Sequence, residues 1–339
     1  MPQPDNPELV TADFLNAKYR PFQHRLPFPR TRDADDWVSW RRDLRLALHD
    51  VLALDRLGDV PTPAPEIVES EQCDEYTRHL IRYETMPGNC VEAFLLIPDS
   101  GPEKKSAVIC PHGHIEGHAR GVVDPAISTG AAYGHELAQR GMIVLAPYNA
   151  GNGVRDMPPG SLPFESCQLL WARLNHLGLD IAGFRVFELM AGLNLLCARE
   201  DVRTDRIGAA GLSGGCWLSH LLAALDKRVR AVILSSFFTT FEQTVWIDHC
   251  ICHHPKGIGE VCELYDIAAL IAPRPLFVES GIHDLPYPIE PAFEKTREAY
   301  QLLDAEPSLH LDRYEGTPDR RHMFHGTHSI PWLAAELMG

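Results

Sequence analysis

Arg206-Ile-Gly-Ala-Ala-Gly-Leu-Ser-Gly-Gly-Cys216 is the stretch that decides the fold. Its apolar run, Ile207 to Ala210, runs into Gly211-Leu-Ser213-Gly-Gly215, and a helical pattern continues from Cys216 to Leu225. This is G-x-S-x-G set between a strand and a helix. The turn joining them is tight, so the residues two before and two after the serine must be small, and Gly211 and Gly215 satisfy that demand. Ser213 is thereby offered as a nucleophile. Gly214 adds a backbone N–H at the start of a helix, where the helix dipole favours a developing negative oxygen.

Outward from this turn the chain repeats strand, loop and helix. Ala107–Cys110 and Met142–Ala146 precede it as short apolar strands, and Ala231–Leu234, Leu276–Val278 and Leu309–Tyr314 follow. Between or after them lie the helical patterns Leu169–His176, Arg185–Ala198, Pro291–Leu303 and Ile330–Met338. Such alternation predicts an α/β fold, a mostly parallel central sheet with helices on both faces. Upstream, Tyr76–Glu84 and Val91–Ile97 flank Pro87-Gly88-Asn89 and read as an antiparallel hairpin. Asp33–Leu54 reads as a helix whose Trp37, Trp40, Leu44, Leu48 and Val51 recur at helical spacing, a stripe expected to be core packing. The proline-rich start reads as an extended arm. The expected organisation is residues 1–70 as N-terminal arm and helical extension, then 71–339 as the catalytic domain, with an insertion at 237–266 over the carboxyl edge of the sheet, where such sheets bind ligands.

A serine hydroxyl needs a base, and the base an orienting acid. The acid expected is Asp284, which follows the strand Pro275–Val278, with Glu279 as competitor. The base lies in Arg321-His322-Met-Phe-His325-Gly-Thr-His328, between the last strand and the last helix: His322 first, then His325 and His328. For a second oxyanion donor beside Gly214, the backbone near His114 is expected, in Cys110-Pro-His112-Gly113-His114. His112 and His114 could instead ligate a metal, as could His249-Cys-Ile-Cys-His-His254. Without a C-x-x-C pair, and with a serine mechanism that requires no Lewis acid, the expectation is no metal and no cofactor. Phe237, Phe238 and Trp246 are the candidate walls of a small apolar substrate pocket.

The net charge of −15 argues against nucleic acid or an anionic membrane as partner. No apolar run is long enough for a bilayer span and no signal peptide is apparent at the N-terminus. The nine scattered cysteines suit a reducing compartment, so a cytoplasmic location is expected. The expected partner is a small-molecule ester, and a homo-oligomer is compatible with the composition.

Together, His112-Gly-His114, Gly211-Leu-Ser-Gly-Gly215 with Ala224-Leu-Asp-Lys-Arg-Val229, the run Asp266-Ile-Ala-Ala-Leu-Ile-Ala-Pro-Arg-Pro275, Gly281-Ile-His-Asp284 and His322-Met-Phe-His-Gly326 resemble the α/β-hydrolase superfamily. Within it the resemblance is to the bacterial acetylxylan-esterase-like and dienelactone-hydrolase-like groups, from about residue 35 onward. It implies the α/β-hydrolase fold and a triad of Ser213, Asp284 and His322. Two departures stand out. The family places two glycines just before the histidine, where this chain has Gly316-Thr-Pro-Asp-Arg-Arg321; and true dienelactone hydrolases use a cysteine nucleophile, where this chain has Ser213. The expected activity is hydrolysis of short-acyl carboxylic esters. A hydrolase of another bond (carbon–carbon, lactone or short peptide) and a non-catalytic binding scaffold are the alternatives.

Overall fold

Strands buried on both faces read as continuous apolar runs, and parallel strands need helical crossovers to cover those faces. The computed structural model follows that logic; it describes residues 14, 15, 18, 23–28, 34–158, 165–245, 249–284, 288–316 and 322–339. The strands are β1 (Glu66–Gln72), β2 (Tyr76–Met86), β3 (Asn89–Pro98), β4 (Lys105–Ile109), β5 (Ile143–Pro147), β6 (Val202–Leu212), β7 (Val229–Ser235), β8 (Leu276–Gly281) and β9 (Leu309–Tyr314). They form one sheet in the order β1-β2-β3-β5-β4-β6-β7-β8-β9. From β5 to β9 every pairing is parallel, and β1, β2 and β3 add antiparallel strands at one side. All of β5 and β8 is buried.

The expected hairpin is present as β2 and β3. Strand β1 is an addition that the sequence pattern did not disclose. Every residue of it is exposed, and the register shifts between Ile67 and Glu69, so the period-two signal is broken where it would have been read. Its glutamates suit an edge that must not pair with another chain.

The helix expected from Asp33 runs over Ala34–Val51 and is followed by a 3-10 turn, Leu54–Arg56; Asp33 lies outside the described residues. Trp37 and Trp40 are buried and stacked, ring centroids 5.2 Å apart, and Phe28 meets both edge-on. The tryptophan pair is core, in the same cluster as the inward faces of β2 to β8. The arm at residues 23–28 lies against the segment 259–266. There Arg25 N–H and Leu26 N–H donate to the carbonyls of Glu260 and Val261, and Phe28 N–H donates to Asp266. The segment from Phe237 onward leaves the carboxyl end of β7 and is built of short pieces, Phe241–Val245, Ile251–His253 and Ile258–Val261, before the helix Leu264–Ala269. Among the described residues, no helix is long and apolar enough to cross a membrane.

Candidate active site

Strand β6 ends at Leu212 and the helix Gly214–Leu225 begins two residues later, so Ser213 alone makes the turn. It does so at φ 59°, ψ −120°, a positive φ that costs a side-chain-bearing residue roughly 1–3 kcal/mol and persists only where the surroundings impose it. The two flanking glycines make room for it. A Cβ on Gly211 would overlap the carbonyl of Gly215, and one on Gly215 would overlap the carbonyl of Pro111. Ser213 N–H donates to Ser235 O at 2.9 Å, tying the turn to the end of β7. Gly214 opens the helix, where first-turn N–H groups lack intrahelical acceptors.

Over this turn passes the loop after β4. A Cβ on Gly113 would stand 2.6 Å from Leu212 O, 2.9 Å from Ser213 Cβ and 3.0 Å from Gly214 N, so only glycine lets the loop approach so closely. His112 locks it. Its Nε2 accepts from Asn149 N–H at 3.0 Å, which leaves Nδ1 as the protonated nitrogen donating to Gly113 O at 2.7 Å. That neutral tautomer suits complete burial, which pulls the His112 pKa down to about 3. Asn149 Nδ2–H returns a bond to His112 O at 2.7 Å. The His114 side chain turns elsewhere, setting Nε2 3.5 Å from Cys167 Sγ and 3.8 Å from Cys252 Sγ.

At the far strands, Asp284 and His322 meet. His322 Nδ1 lies 2.9 Å from Asp284 Oδ1, with the Asp284 side chain 4% exposed and that of His322 32%. A buried carboxylate on Nδ1 leaves Nε2 as the acceptor nitrogen of a neutral ring. His325 and His328 are drawn to a different acid: both reach Asp312, at 3.4 and 3.0 Å, and His325 stacks on Tyr314. Glu279, the competing acid, faces backbone instead. Its carboxylate accepts from the N–H groups of His325 and Gly326 and from Ser329 Oγ–H at 2.6 Å, gathering the start of the last helix. Burial raises its pKa. Tyr314 O–H donates to Met323 O at 2.7 Å, and Phe324 N–H to Gly130 O at 2.8 Å. The histidine loop is therefore pinned at each residue from Met323 to Gly326. Residues 317–321, which separate it from β9, lie outside the described residues.

Phe237, Phe238 and Phe241 are all buried in one core cluster, against different partners. Phe237 packs on His249 and His253, both with ring centroids 4.8 Å away. Phe238 packs on His220 and Phe241 on Trp217, in the core behind the Ser213 helix. Trp246 lies outside the described residues. For His249–His254 the sequence offers either metal ligation or a slightly polar lining of the site, and the lining is the expectation. The structure puts His253 Nε2 3.1 Å from where a Gly214 Cβ would be. His249 is pulled down to about 4, chiefly by burial, with His254, His114 and His322 as further neighbours disfavouring its charge. Glu279 as a loop clasp and Cys167 as a neighbour of His114 carried no local signal, since their partners are 46 to 53 residues away in sequence.

The chain is 20% identical to "Crystal structure of a putative acetyl xylan esterase (BF1801)" from Bacteroides fragilis, over 99% of this chain and 97% of that one, with a TM-score of 0.76. It is 14% identical to the glucuronoyl esterase from Solibacter usitatus, over 94% and 98%, TM-score 0.64. These likenesses are of fold. In sequence it is 26% identical to "Putative hydrolase YtaP" of Bacillus subtilis (strain 168) over 249 residues, 69% of this chain and 80% of that protein. The profile of the Abhydrolase family matches residues 8–331, and the chain belongs to that family.

Proposed function

We propose that this protein is a serine hydrolase of carboxylic esters, with Ser213 as nucleophile, His322 as base and Asp284 as the acid that orients it. The observation that carries the reading is the positive φ of Ser213, held between glycines that admit no Cβ, on the same sheet edge as the His322–Asp284 pair. In the proposed cycle Ser213 Oγ attacks the ester carbonyl while His322 Nε2 takes its proton. The tetrahedral oxyanion is held by the N–H of Gly214 and the backbone near His114. His322 then protonates the departing alcohol, and water, activated by the same imidazole, releases the acid from the acyl-enzyme. Asp284 stabilises the transient imidazolium. The similarity to proteins named as acetyl xylan and glucuronoyl esterases supports ester chemistry over other bonds.

The preferred esters carry a short acyl group. Phe237 with the rings of His249 and His253 makes a rigid wall beside the Ser213 turn, and a longer chain meets that wall instead of gaining about 0.8 kcal/mol per buried methylene. Replacing Ser213 with alanine should leave the circular dichroism spectrum unchanged, lower turnover of an acetyl ester by about three orders of magnitude or more, and abolish labelling by a fluorophosphonate. An unlabelled wild-type protein, or an alanine variant near wild-type rate, would remove Ser213 from the chemistry. Across acyl esters of increasing length, kcat/KM should peak at two to about four carbons. A continuous rise through eight would refute the short-acyl preference.

A further inference from the structure

Four soft or borderline ligands from three separate stretches converge beside the loop over Ser213. His114 comes from the loop after β4, Cys167 from the first turn of the helix Ser166–His176, and Cys250 and Cys252 from the segment after β7. One donor atom of each lies within 4.8 Å of all the others. All nine cysteines are free thiols. We propose that His114, Cys167, Cys250 and Cys252 form a Cys₃His site for one tetrahedral divalent cation of the zinc class.

Geometry supports this first. With Zn–S of about 2.3 Å and Zn–N of about 2.0–2.1 Å, a tetrahedron separates sulfur from nitrogen by about 3.6 Å and sulfur from sulfur by about 3.8 Å. His114 Nε2 stands 3.5 Å from Cys167 Sγ and 3.8 Å from Cys252 Sγ, already at ligand-to-ligand spacing. Closing the remaining edges needs a contraction of about an ångström at most. Cys167 and Cys252 are buried and Cys250 is half-buried, so two of the three sulfurs are shielded from bulk thiols and oxidants.

The second support is charge. Arg185 is buried, and among the described residues its hydrogen bonds go to Ala150, Asn152 and Cys167, none of them a carboxylate. Asp180, the acid near it on the same helix, accepts instead from the N–H groups of Ala182 and Gly183. The Arg185 guanidinium donates to Ala150 O, to Asn152 Oδ1 and, through Nη2 at 3.2 Å, to Cys167 Sγ. A buried guanidinium without an anion is costly. Three thiolates, a neutral imidazole and a divalent ion sum to a charge of −1, which neutralises Arg185. Asn152 Nδ2 also faces Cys167 Sγ, at 3.6 Å, so the sulfur has the outer hydrogen bonds that metal-bound thiolates commonly receive. On binding, each thiol gives its proton to solvent and no electron is transferred.

All four positions are filled by protein, which marks a structural site rather than one that activates water. It would staple the loop carrying His114 to two elements distant in sequence. The expectation of no metal rested on the lack of a C-x-x-C pair within residues 249–254, and the fold supplies the other two ligands from elsewhere.

The test is metal content, which does not depend on the esterase reading. Full-length protein, purified with reductant and without chelator or metal-affinity resin, should contain about one zinc per chain by plasma mass spectrometry. Cys167→Ser and Cys252→Ser should each lower that at least about tenfold, while Cys90→Ser, at an exposed cysteine outside the cluster, should not. Should the variants fold poorly, cobalt(II) exchanged into wild-type protein should give the visible absorption and sulfur charge-transfer bands of tetrahedral cobalt thiolate. Below about a tenth of an equivalent of zinc after reconstitution under reductant, the proposal falls. Zinc retained in both cluster variants, or a disulfide joining two of the three cysteines in freshly reduced and desalted protein, would overturn it equally.

Discussion

His322 and His325 stand three residues apart on one loop and meet different acids. His322 is held by the buried Asp284, whereas His325 shares Asp312 with His328 and stacks its ring on Tyr314. The sequence ranks His322 first by its place in the loop, with His325 as runner-up, because spacing from β9 is set by residues 315–321 and not by the histidines themselves. The acid partners differ, and that difference supports the proposal of His322. His322→Ala should lower kcat/KM on an acetyl ester by about three orders of magnitude, while His325→Ala, which removes a ring from the back of the loop, should cost less than about tenfold. Steady-state kinetics on both variants decides this; the reverse order would make His325 the base. The same contrast explains Glu279. As a type and position it competes with Asp284, yet its two oxygens are taken by the His325 and Gly326 N–H groups and the Ser329 hydroxyl, so it is occupied in holding the loop.

The strand–turn–helix element around Ser213 was legible because its requirements are local. Glycines at 211 and 215 are needed where the chain turns from β6 into a helix in one residue, and the serine stands between them. Gly211→Ala therefore sets a methyl group into the Gly215 carbonyl, and relief requires opening the turn. The variant should lose about 2–4 kcal/mol in urea unfolding, or fail to fold, and any soluble fraction should lose esterase activity with the serine still present. A variant within about 0.5 kcal/mol of wild type would mean the turn is looser than its geometry indicates. Strand β1 shows the opposite case. Exposed along its whole length and interrupted by a register shift, it exists because β2 offers it an edge, and nothing in Glu66–Gln72 alone asks for a strand.

Acid sensitivity belongs to the whole molecule, since it follows from histidines buried neutral, His112 and His220 among them. His112 and His220 are both pulled down to about 3, burial being the first cause in each. Unfolded, each has the ordinary value of 6.5, so below that pH the unfolded chain takes up protons that the native one refuses. Their contribution to stability is full above pH 6.5 and is lost as pH falls from 6.5 towards 3. The urea midpoint should accordingly be level between pH 7 and 8 and decline below about 6.5. His220 also has both ring nitrogens without a hydrogen-bond partner among the described residues, between Trp217 and Phe238. His220→Leu should raise stability by about 1–3 kcal/mol at neutral pH, and by more at pH 5. Equal stability of variant and wild type at pH 5 would show that His220 is not buried neutral.

Read alone, the sequence determined the layer architecture and the turn at Ser213, and it placed the candidate acids and histidines after the serine, because each rests on periodicity or on residue types at short spacing. Tertiary structure decided what depends on contact across long separations. It set Asp284 against His322 and Glu279 against backbone N–H groups, buried Phe237 and Phe238 alike in the core, and brought His114, Cys167, Cys250 and Cys252 within 4.8 Å of one another. The physical reason is the same throughout. Backbone conformation answers to neighbours in the chain, whereas a side chain's chemistry answers to neighbours in space, and a parallel sheet makes those two sets almost disjoint.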